Sequence, residues 1–225
     1  IKIIKLLIYQ LFMSSESHYD EKYFTWQSHV GVFGAIANRI KFQKLIKPNQ
    51  KVLDFGCGGG YMLSAFQNIE RFGVEINDVA RLEASKNLKT FKYAKELPDD
   101  YFDVIISNHA LEHCDNPLME LKELFRSLKK SGLICIVVPI DNKKNKFKKK
   151  DKFMHLYSWS PSNLGNILEA TGFDVIESKP FIHKWIPFYF RIKKILPWSA
   201  FHFLCKIYGR LNHDWWQTRA VAKKN

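Results

Sequence analysis

The sequence predicts an α/β fold: a Rossmann-like, doubly wound, mostly parallel seven-stranded sheet with helices on both faces. Three observations favour it. From Lys51 onward short apolar runs alternate with helix-like segments, a glycine cluster follows the first run, and turn residues separate the segments. In such a sheet the ligand lies in the crevice beyond the carboxyl ends of the strands, so functional residues are expected just after each strand.

The first half of this alternation is marked by turn and capping signals. Pro48 and Asn49 indicate a turn before the first apolar run, and glycines end that run. Asn77 or Asp78 can cap the helix that follows the second run. We therefore expect strands at Lys51–Phe55, Arg71–Ile76, Thr90–Tyr93 and Phe102–Ser107, with helices at Tyr61–Ile69 and from about Asp78 to Leu88.

The second half continues the same pattern. Lys129, Lys130 and Gly132 resemble a helix stop, Pro139 is expected to end the fifth strand, and Ser160-Pro161 is typical of a helix start that Gly172 closes. The expected elements are a helix at Leu118–Leu128, a strand at Leu133–Val138, a helix around Leu164–Thr171, and strands at Phe173–Ser178 and Trp215–Ala222.

One domain is expected, because 225 residues are enough to bury a core but few for two domains. We divide it into an N-terminal helical cap (1–50), a Rossmann-like core (51–182), an aromatic-rich insertion (183–212) and a last strand (213–225). Pro187 and Pro197 interrupt the insertion, so short helices over the sheet are expected there. The insertion could roof an acceptor pocket, form a dimer contact, touch a membrane or simply pack as core.

The charge is strongly basic but unevenly spread. The chain has 35 Lys and Arg against 22 Asp and Glu, a formal net charge of +13. Seven lysines and Asp151 lie between Lys143 and Lys152, so this stretch alone supplies +6 of that charge. A lysine run is usually a solvated segment; a nucleic-acid partner is therefore left open but not favoured.

The spacing of the cysteines and the composition of the first residues indicate in which cellular compartment the protein is expected. The four cysteines form no CxxC pair and no Cys/His spacing suited to zinc, which favours a reduced, cytoplasmic protein with no metal site. Ile1–Phe12 is apolar but shorter than the roughly 18 residues of a membrane span, and no small-residue cleavage site follows it. Peripheral contact with a membrane stays open, and the sequence leaves the oligomeric state undetermined.

The glycine cluster and a later acid predict a cofactor containing adenosine. Asp54 to Gly60 follow a strand and open a helix, so their glycines permit a tight turn and let a ligand approach the backbone amides. Glu75 comes nineteen residues after Gly56 at the end of the second strand. A carboxylate there can accept hydrogen bonds from both hydroxyls of a ribose.

The spacing of the glycines distinguishes two such cofactors. A G-x-G-x-x-G fingerprint counted from Gly56 would need a third glycine at Tyr61, so the dinucleotide pattern fails. An acid-x-G-x-G-x-G pattern is met in full by Asp54, Gly56, Gly58 and Gly60.

These residues belong to four motifs in order: Val52-Leu53-Asp54-Phe55-Gly56-Cys57-Gly58-Gly59, Gly73-Val74-Glu75, Phe102-Asp103 through Leu111-Glu112-His113, and Ile136-Val137-Val138-Pro139. With them the sequence resembles the class I S-adenosylmethionine-dependent methyltransferases, in particular their small-molecule group. The match covers roughly Val52 to Ser178. It is specific to the cofactor and not to the acceptor.

The resemblance implies a cofactor site around S-adenosylmethionine. Asp54 and the glycine loop would face the methionine part, Glu75 the ribose, and Ile76 the adenine. Many relatives carry an Asp where this chain has Tyr93, so that adenine contact is in doubt. The full set implied by the resemblance is Tyr23, Asp54, Gly56, Cys57, Gly58, Glu75, Ile76, Ala94, Lys95, Asn108 and His109.

The resemblance leads us to expect transfer of a methyl group by in-line displacement to an oxygen atom of a small-molecule acceptor, without a covalent enzyme intermediate. A hydroxyl acceptor would profit from a general base, and histidine suits neutral pH. His109, His113 and His155 are the candidates for that role.

Two other functions remain open from the sequence. Methylation of RNA or protein would agree with the net charge, but Ser107-Asn108-His109-Ala110 is not the Asn-Pro-Pro-Tyr type motif of amino-methylating nucleic-acid enzymes. A non-catalytic cofactor-binding subunit of the same fold would be expected to have a damaged glycine loop, and this loop is intact.

Overall fold

A computed structural model describes residues 21–140, 154–212 and 216–225, with side chains described from residue 30 onward. The lysine-rich stretch and the first twelve residues, both singled out in the sequence, lie outside the described residues. In the parts that are described, no helix combines the length and apolarity needed to span a membrane.

The predicted α/β fold is confirmed. Seven strands form one sheet in the order β3-β2-β1-β4-β5-β7-β6. β7 pairs antiparallel with β5 and β6, and the other pairs are parallel. The strands are β1 Lys51–Phe55, β2 Glu70–Val74, β3 Lys89–Phe91, β4 Phe102–Asn108, β5 Leu128–Ile140, β6 Asp174–Phe181 and β7 Trp216–Lys223.

Helices cover both faces of the sheet, and an N-terminal helix precedes it. They are α1 Glu21–Asn38, α2 Tyr61–Ser64, α3 Asp78–Ala84, α4 Pro117–Ser127, α5 Pro161–Thr171, α6 Tyr189–Ile195 and α7 Trp198–Leu211. Two capping predictions are confirmed: Asn77 accepts the Ala80 N–H at 2.9 Å, and Ser160 caps the helix that ends at Gly172, whose φ is 109°.

Several predicted boundaries are wrong; the helix expected to reach about Leu88, for example, ends at Ala84. Three others have local reasons. The helix expected at Tyr61–Ile69 ends at Ser64, because the N–H groups of Ala65 and Phe66 donate to carbonyls only three residues back. Asn68 then takes a left-handed φ of 55°, and its carbonyl accepts from the Asn49 N–H. The expected helix stop at Lys129 to Gly132 lies inside β5, because the preceding helix already ends at Ser127.

Pro139 does not end β5, which continues to Ile140. Pairing of β4 with β5 stops at Asn108 and Val137, so beyond that point β5 has only β7 beside it. A proline nitrogen that lacks its hydrogen is tolerated where one side of a strand has no partner.

The core lies on both faces of the central strands. One face buries Leu53, Phe102, Ile105 and Ile134 beneath α4 and α5. The other buries Phe42, Val52, Val104 and Val137, among others, near α2 and α3. β1, β4 and β5 are apolar on both faces, as expected of parallel strands covered by helices on either side.

The aromatic insertion forms helices, as predicted. α6 and α7 pack against α1 around Phe33, whose ring centroid lies 5.2 Å from that of Trp185 and 4.8 Å from that of Phe190. Phe201 and Cys205 of α7 are fully buried in this cluster. The inner side of the insertion is therefore a small core shared with α1.

Candidate functional site

The glycine loop leaves β1 in a conformation that needs glycine. Gly56, Gly58 and Gly60 have φ values of 75°, 53° and 79°. A Cβ on Gly56 would lie 2.2 Å from the Cβ of Ala110, so the loop approaches the turn after β4 as closely as atoms allow. The Gly56 N–H donates to the carbonyl of Val74 at 2.9 Å, which fixes the loop against β2.

Asp54 is the last polar side chain of β1 and is 2% exposed. Its Oδ1 atom accepts no hydrogen bond from the described residues. Burial, with a contribution from nearby Glu75, raises the pKa of Asp54 from 3.8 to about 7. A buried carboxylate oxygen without a partner is rare, so this atom is prepared for a cationic or hydrogen-bonding ligand.

Glu75 stands on the other side of the loop, just beyond β2. The Gly58 N–H donates to its Oε2 at 2.8 Å, and the Asn77 N–H donates to its Oε1 at 2.9 Å. Burial raises the pKa of this carboxyl, and the two backbone donors oppose that rise. Each oxygen keeps a second lone pair, so the carboxylate is oriented by the backbone and can still accept from a ligand.

Two cavities adjoin the loop, and Gly56 and Gly58 line both. The smaller, of about 190 Å³, lies toward α1 and includes Asp54, Cys57, Asn108 and Trp185 in its wall. The larger, of about 390 Å³, includes Glu75, Ile76, Asn77, Tyr93, Ala94, His109 and His113. An acid therefore lines each cavity, with the glycine loop between them.

Close packing brings α1 to the smaller cavity. A Cβ on Gly31 would lie 2.4 Å from the Tyr61 ring, so α1 rests directly on α2 at this glycine. Gly31, Gly34 and Ala35 line the cavity. Small side chains on this turn of α1 leave room for a ligand between the helix and the loop.

The predicted residue Lys95 is not brought to either cavity. Its carbonyl accepts a hydrogen bond from Arg126 at 3.3 Å, and its side chain is exposed. Lys92 and Tyr93 line the larger cavity beside Ala94 instead. The side chain of Tyr23, on the first turn of α1, lies outside the described side chains.

His109 is held in a strained backbone conformation at the end of β4, with φ of 59°. Its N–H donates to the Val137 carbonyl at 2.8 Å, and its Nε2 lies 3.2 Å from Oε1 of Gln217. Its Nδ1 lies 3.4 Å from a carboxylate oxygen of Glu112, which is fully buried. These contacts present the imidazole at the wall of the larger cavity.

The Glu112 carboxylate lies next to two histidine rings, those of His109 and His113. Burial works to raise its pKa, but His109 and His113 outweigh burial, so the pKa of Glu112 lies below its ordinary value. Burial lowers the pKa of His113 by more than the neighbouring Glu112 carboxylate raises it, and His155, whose ring lies 5.0 Å away, lowers it further. At neutral pH the arrangement is an ionised carboxylate beside a largely neutral His113.

No metal site was predicted from the sequence, but three residues in this region are of types that bind metals. Glu112, His113 and His155 bring one possible ligand atom each within 4.8 Å of one another. Ligand atoms about 2 Å from a zinc ion lie at most roughly 4 Å apart, so a grouping within 4.8 Å does not by itself make a metal site. The absence of a metal remains a prediction.

Lys41 was missed by the sequence analysis. It lies in the 3₁₀ turn after α1, is 3% exposed, and donates from Nζ to Oδ1 of Asn108 at 2.7 Å. Burial lowers the pKa of this lysine from 10.5 to about 7. Since Asn108 lines the smaller cavity, Lys41 orients a predicted cofactor-binding side chain from behind.

The methyltransferase domain family matches residues 29–178, which is two thirds of the chain and includes the glycine loop, Asp54 and Glu75. The chain belongs to this family. The resemblance to S-adenosylmethionine-dependent methyltransferases is thereby confirmed.

Curated relatives match over about half of this methyltransferase chain. Phosphoethanolamine N-methyltransferase 1 of Zea mays is 34% identical over 122 residues, 48% of this chain and 24% of the relative. The ubiquinone biosynthesis O-methyltransferase of Pelagibacter ubique is 31% identical over 114 residues, 45% of this chain and 48% of the relative. This chain therefore matches less than half of the length of each of these relatives.

Solved structures share the fold of this methyltransferase domain. An S-adenosylmethionine-dependent methyltransferase from Archaeoglobus fulgidus superposes with a TM-score of 0.65 at 24% identity. The superposition covers 91% of this chain and all of the other, 100%. The likeness therefore extends well beyond the glycine loop.

The cofactor of this family, S-adenosylmethionine, fits the described residues. Its amino-acid end carries an ammonium group, which is the partner that the orphan Oδ1 of Asp54 lacks. Its ribose offers two hydroxyl donors, which match the remaining acceptor positions of Glu75. The close approach of Gly56 to Ala110 leaves the cradle no room for a side chain.

Sequence reasoning missed the residues that support the site from distant segments. Lys41 and Gln217 lie 67 and 108 positions from the residues they contact, Asn108 and His109. Ala110 and Trp185 also line the cavities. Ala110 could have been predicted from the sequence, because a glycine loop that packs closely on the turn after β4 requires a small residue there.

Proposed function

We propose that the protein is an S-adenosylmethionine-dependent methyltransferase that acts on a small-molecule acceptor, at oxygen. The observation that carries this proposal is the pair of acids on either side of an intact glycine loop, Asp54 with an orphan buried oxygen and Glu75 oriented by two backbone donors. A damaged loop would instead favour a non-catalytic subunit.

The residues would divide the cofactor between the two cavities. Asp54, Cys57 and Asn108 would hold the methionine end in the smaller cavity, and Glu75, Ile76 and Ala94 the adenosine in the larger one. Bound there, the cofactor supplies a methyl group on a positively charged sulfur, open to in-line displacement. The protein's part is to place the acceptor and exclude water.

His109 is our candidate for the general base. Its ring lines the larger cavity, and the buried Glu112 carboxylate lies 3.4 Å from its Nδ1. A carboxylate on one ring nitrogen orients the imidazole and stabilises its protonated form. The proton would go to Nε2, which would first have to exchange its 3.2 Å contact with Oε1 of Gln217 for the acceptor. His113 and His155 would support the acceptor side, since His113 also contacts Glu112 and packs on His155.

Oxygen is favoured over nitrogen as the methylated atom because a hydroxyl must lose its proton during transfer, and a positioned base is present. An uncharged amine attacks without such help. The relatives include both kinds of enzyme by name. The half-buried His109 beside the buried Glu112 carboxylate therefore supports the finer assignment.

The experiment incubates the purified chain and methyl-labelled S-adenosylmethionine with cell extract separated into small-molecule, lipid, glycan, RNA and protein pools. We expect label in a small-molecule or lipid pool with the wild type and none with Gly58→Arg. His109→Ala should lower the rate at least roughly 100-fold, a larger effect than its loss of cofactor affinity. Label in RNA or protein alone would contradict the proposed acceptor class.

A further inference from the structure

The outward face of α7 has an unusual composition for a protein surface. Its exposed positions follow one helical stripe: Ser199, Phe203, Lys206, Ile207, Arg210 and Leu211. Phe203 is 64% and Leu211 79% exposed, whereas Phe201 and Cys205 on the inner face are fully buried. The helix thus has a packed apolar inside and an outside that combines apolar side chains with bases.

The neighbouring elements extend this character. An open groove of about 500 Å³ runs between α7 and the end of α1, lined by Ile36, Arg39, Ile40, Trp198, Phe203 and Lys206. Phe188, just before α6, is 74% exposed, and Ile195 at the end of α6 is 83% exposed. We call the exposed side chains of α6 and α7, together with this groove, the apolar-basic face.

The charge on this part of the chain has one sign. Between residues 183 and 212 there are six Lys and Arg and no Asp or Glu. The bases alternate with the exposed apolar side chains along α6 and α7, rather than forming a separate patch. Lys and Arg beside exposed Phe, Ile and Leu are the composition of helices that lie in a membrane interface.

We propose that the apolar-basic face docks the protein on an anionic lipid bilayer, with α7 lying along the interface. The apolar side chains would enter the boundary of headgroups and acyl chains while the bases stay level with lipid phosphates. A second copy of the chain fits less well, because a twofold contact would press one acid-free basic surface against another.

The binding test uses the full chain and sedimented vesicles of phosphatidylcholine with about one third phosphatidylglycerol, beside vesicles of phosphatidylcholine alone. Binding is expected to the anionic vesicles and to weaken strongly as salt is raised from low to high concentration. Equal partition into both vesicle types, or no binding even at low salt, would overturn the proposal.

Two variants test the apolar part. Phe203→Glu with Leu211→Glu should abolish most vesicle binding. The matched control, Val79→Glu with Leu82→Glu, changes the charge equally at side chains of α3 that are 44% and 71% exposed, and should bind more strongly than the first variant. Both pairs are exposed, so thermal melting should show each variant folded. Equal binding by both variants would assign binding to another segment and overturn the proposal.

A second pair of variants tests the bases. Lys206→Gln with Arg210→Gln should lower partition roughly 30-fold, since each base near an anionic surface contributes about fivefold. Lys86→Gln with Lys89→Gln removes two exposed bases elsewhere and should have a clearly smaller effect. Sedimentation velocity measures whether the chain forms a dimer through this face. If the wild type is a dimer that Phe203→Glu dissociates, and the wild type does not bind vesicles, the face is a self-association surface and the proposal is wrong.

Discussion

At the scale of single residues, the burial of Asp54 makes the stability of the fold depend on pH. Its pKa is about 7 in the folded chain and 3.8 as the ordinary value, so the folded state holds the proton more tightly. Stability from this group is therefore fully present below about pH 3.8 and is lost as pH rises through about 7. The loss between about pH 5 and about pH 8 should be roughly 2–3 kcal/mol in the cofactor-free protein.

The Asp54→Asn variant tests this. Because the amide does not ionise, we expect the variant to gain stability relative to the wild type as pH rises from 5 to 8, measured by urea unfolding without cofactor. Asp174→Asn, at an exposed strand end, is the control and should follow the wild type. A wild-type-to-variant difference that is the same at both pH values would show that Asp54 ionises normally.

Residues that follow strands could be predicted from the sequence, and those that act from a distance could not. Asp54 and Glu75 were found because chain order places each of them just after an apolar run, at one edge of the sheet. Lys41 was missed because nothing local marks it: its burial comes from β4, β5 and the Arg219 side chain, which donates to its carbonyl at 2.8 Å. Long-range packing decides such a residue.

Elements could be predicted in kind and order but less well in length. β1 was predicted to the residue because Asn49 and the glycine loop enclose it on both sides. α2 was predicted too long, because the apolar spacing continues through Phe66 and Ile69 while the backbone already turns at Asn68. Periodicity detects burial, and burial continues past the end of a helix.

At the scale of elements, we predict opposite changes in stability when alanine replaces two different glycines. Gly56 in the loop has a φ of 75° and no room for a Cβ, whereas a Cβ on Gly165 within α5 would meet only Ser178, at 3.6 Å. Gly56→Ala should destabilise the protein by roughly 2–4 kcal/mol through strain and overpacking, and should abolish cofactor binding. Gly165→Ala should stabilise it by roughly 0.5–1 kcal/mol.

Chemical unfolding of both variants beside the wild type measures these changes. Each variant is the control for the other, since both add one methyl group to a glycine of the same domain. If Gly56→Ala were as stable as the wild type and still bound cofactor, the close contact with Ala110 would not be the constraint that we describe.

At the scale of the whole molecule, the two cavities join parts of the chain that are far apart in sequence. Their walls come from α1, the glycine loop, the ends of β2 and β4, and Trp185 of the insertion. A ligand that fills both would bridge the N-terminal helix, the core and the insertion. Its binding energy should therefore add to the stability of the entire domain.

S-adenosylhomocysteine, the demethylated product, is the ligand with which to measure this coupling. At about one hundred times its dissociation constant it should contribute about 2.7 kcal/mol and raise the melting temperature of a 225-residue chain by roughly 5–10 °C. Glu75→Gln should lose most of this rise, because its amide would oppose the N–H of Gly58. Glu70→Gln, on an exposed residue of β2, should keep it. A comparable rise with a nicotinamide dinucleotide and none with S-adenosylhomocysteine would mean that the loop holds a different cofactor.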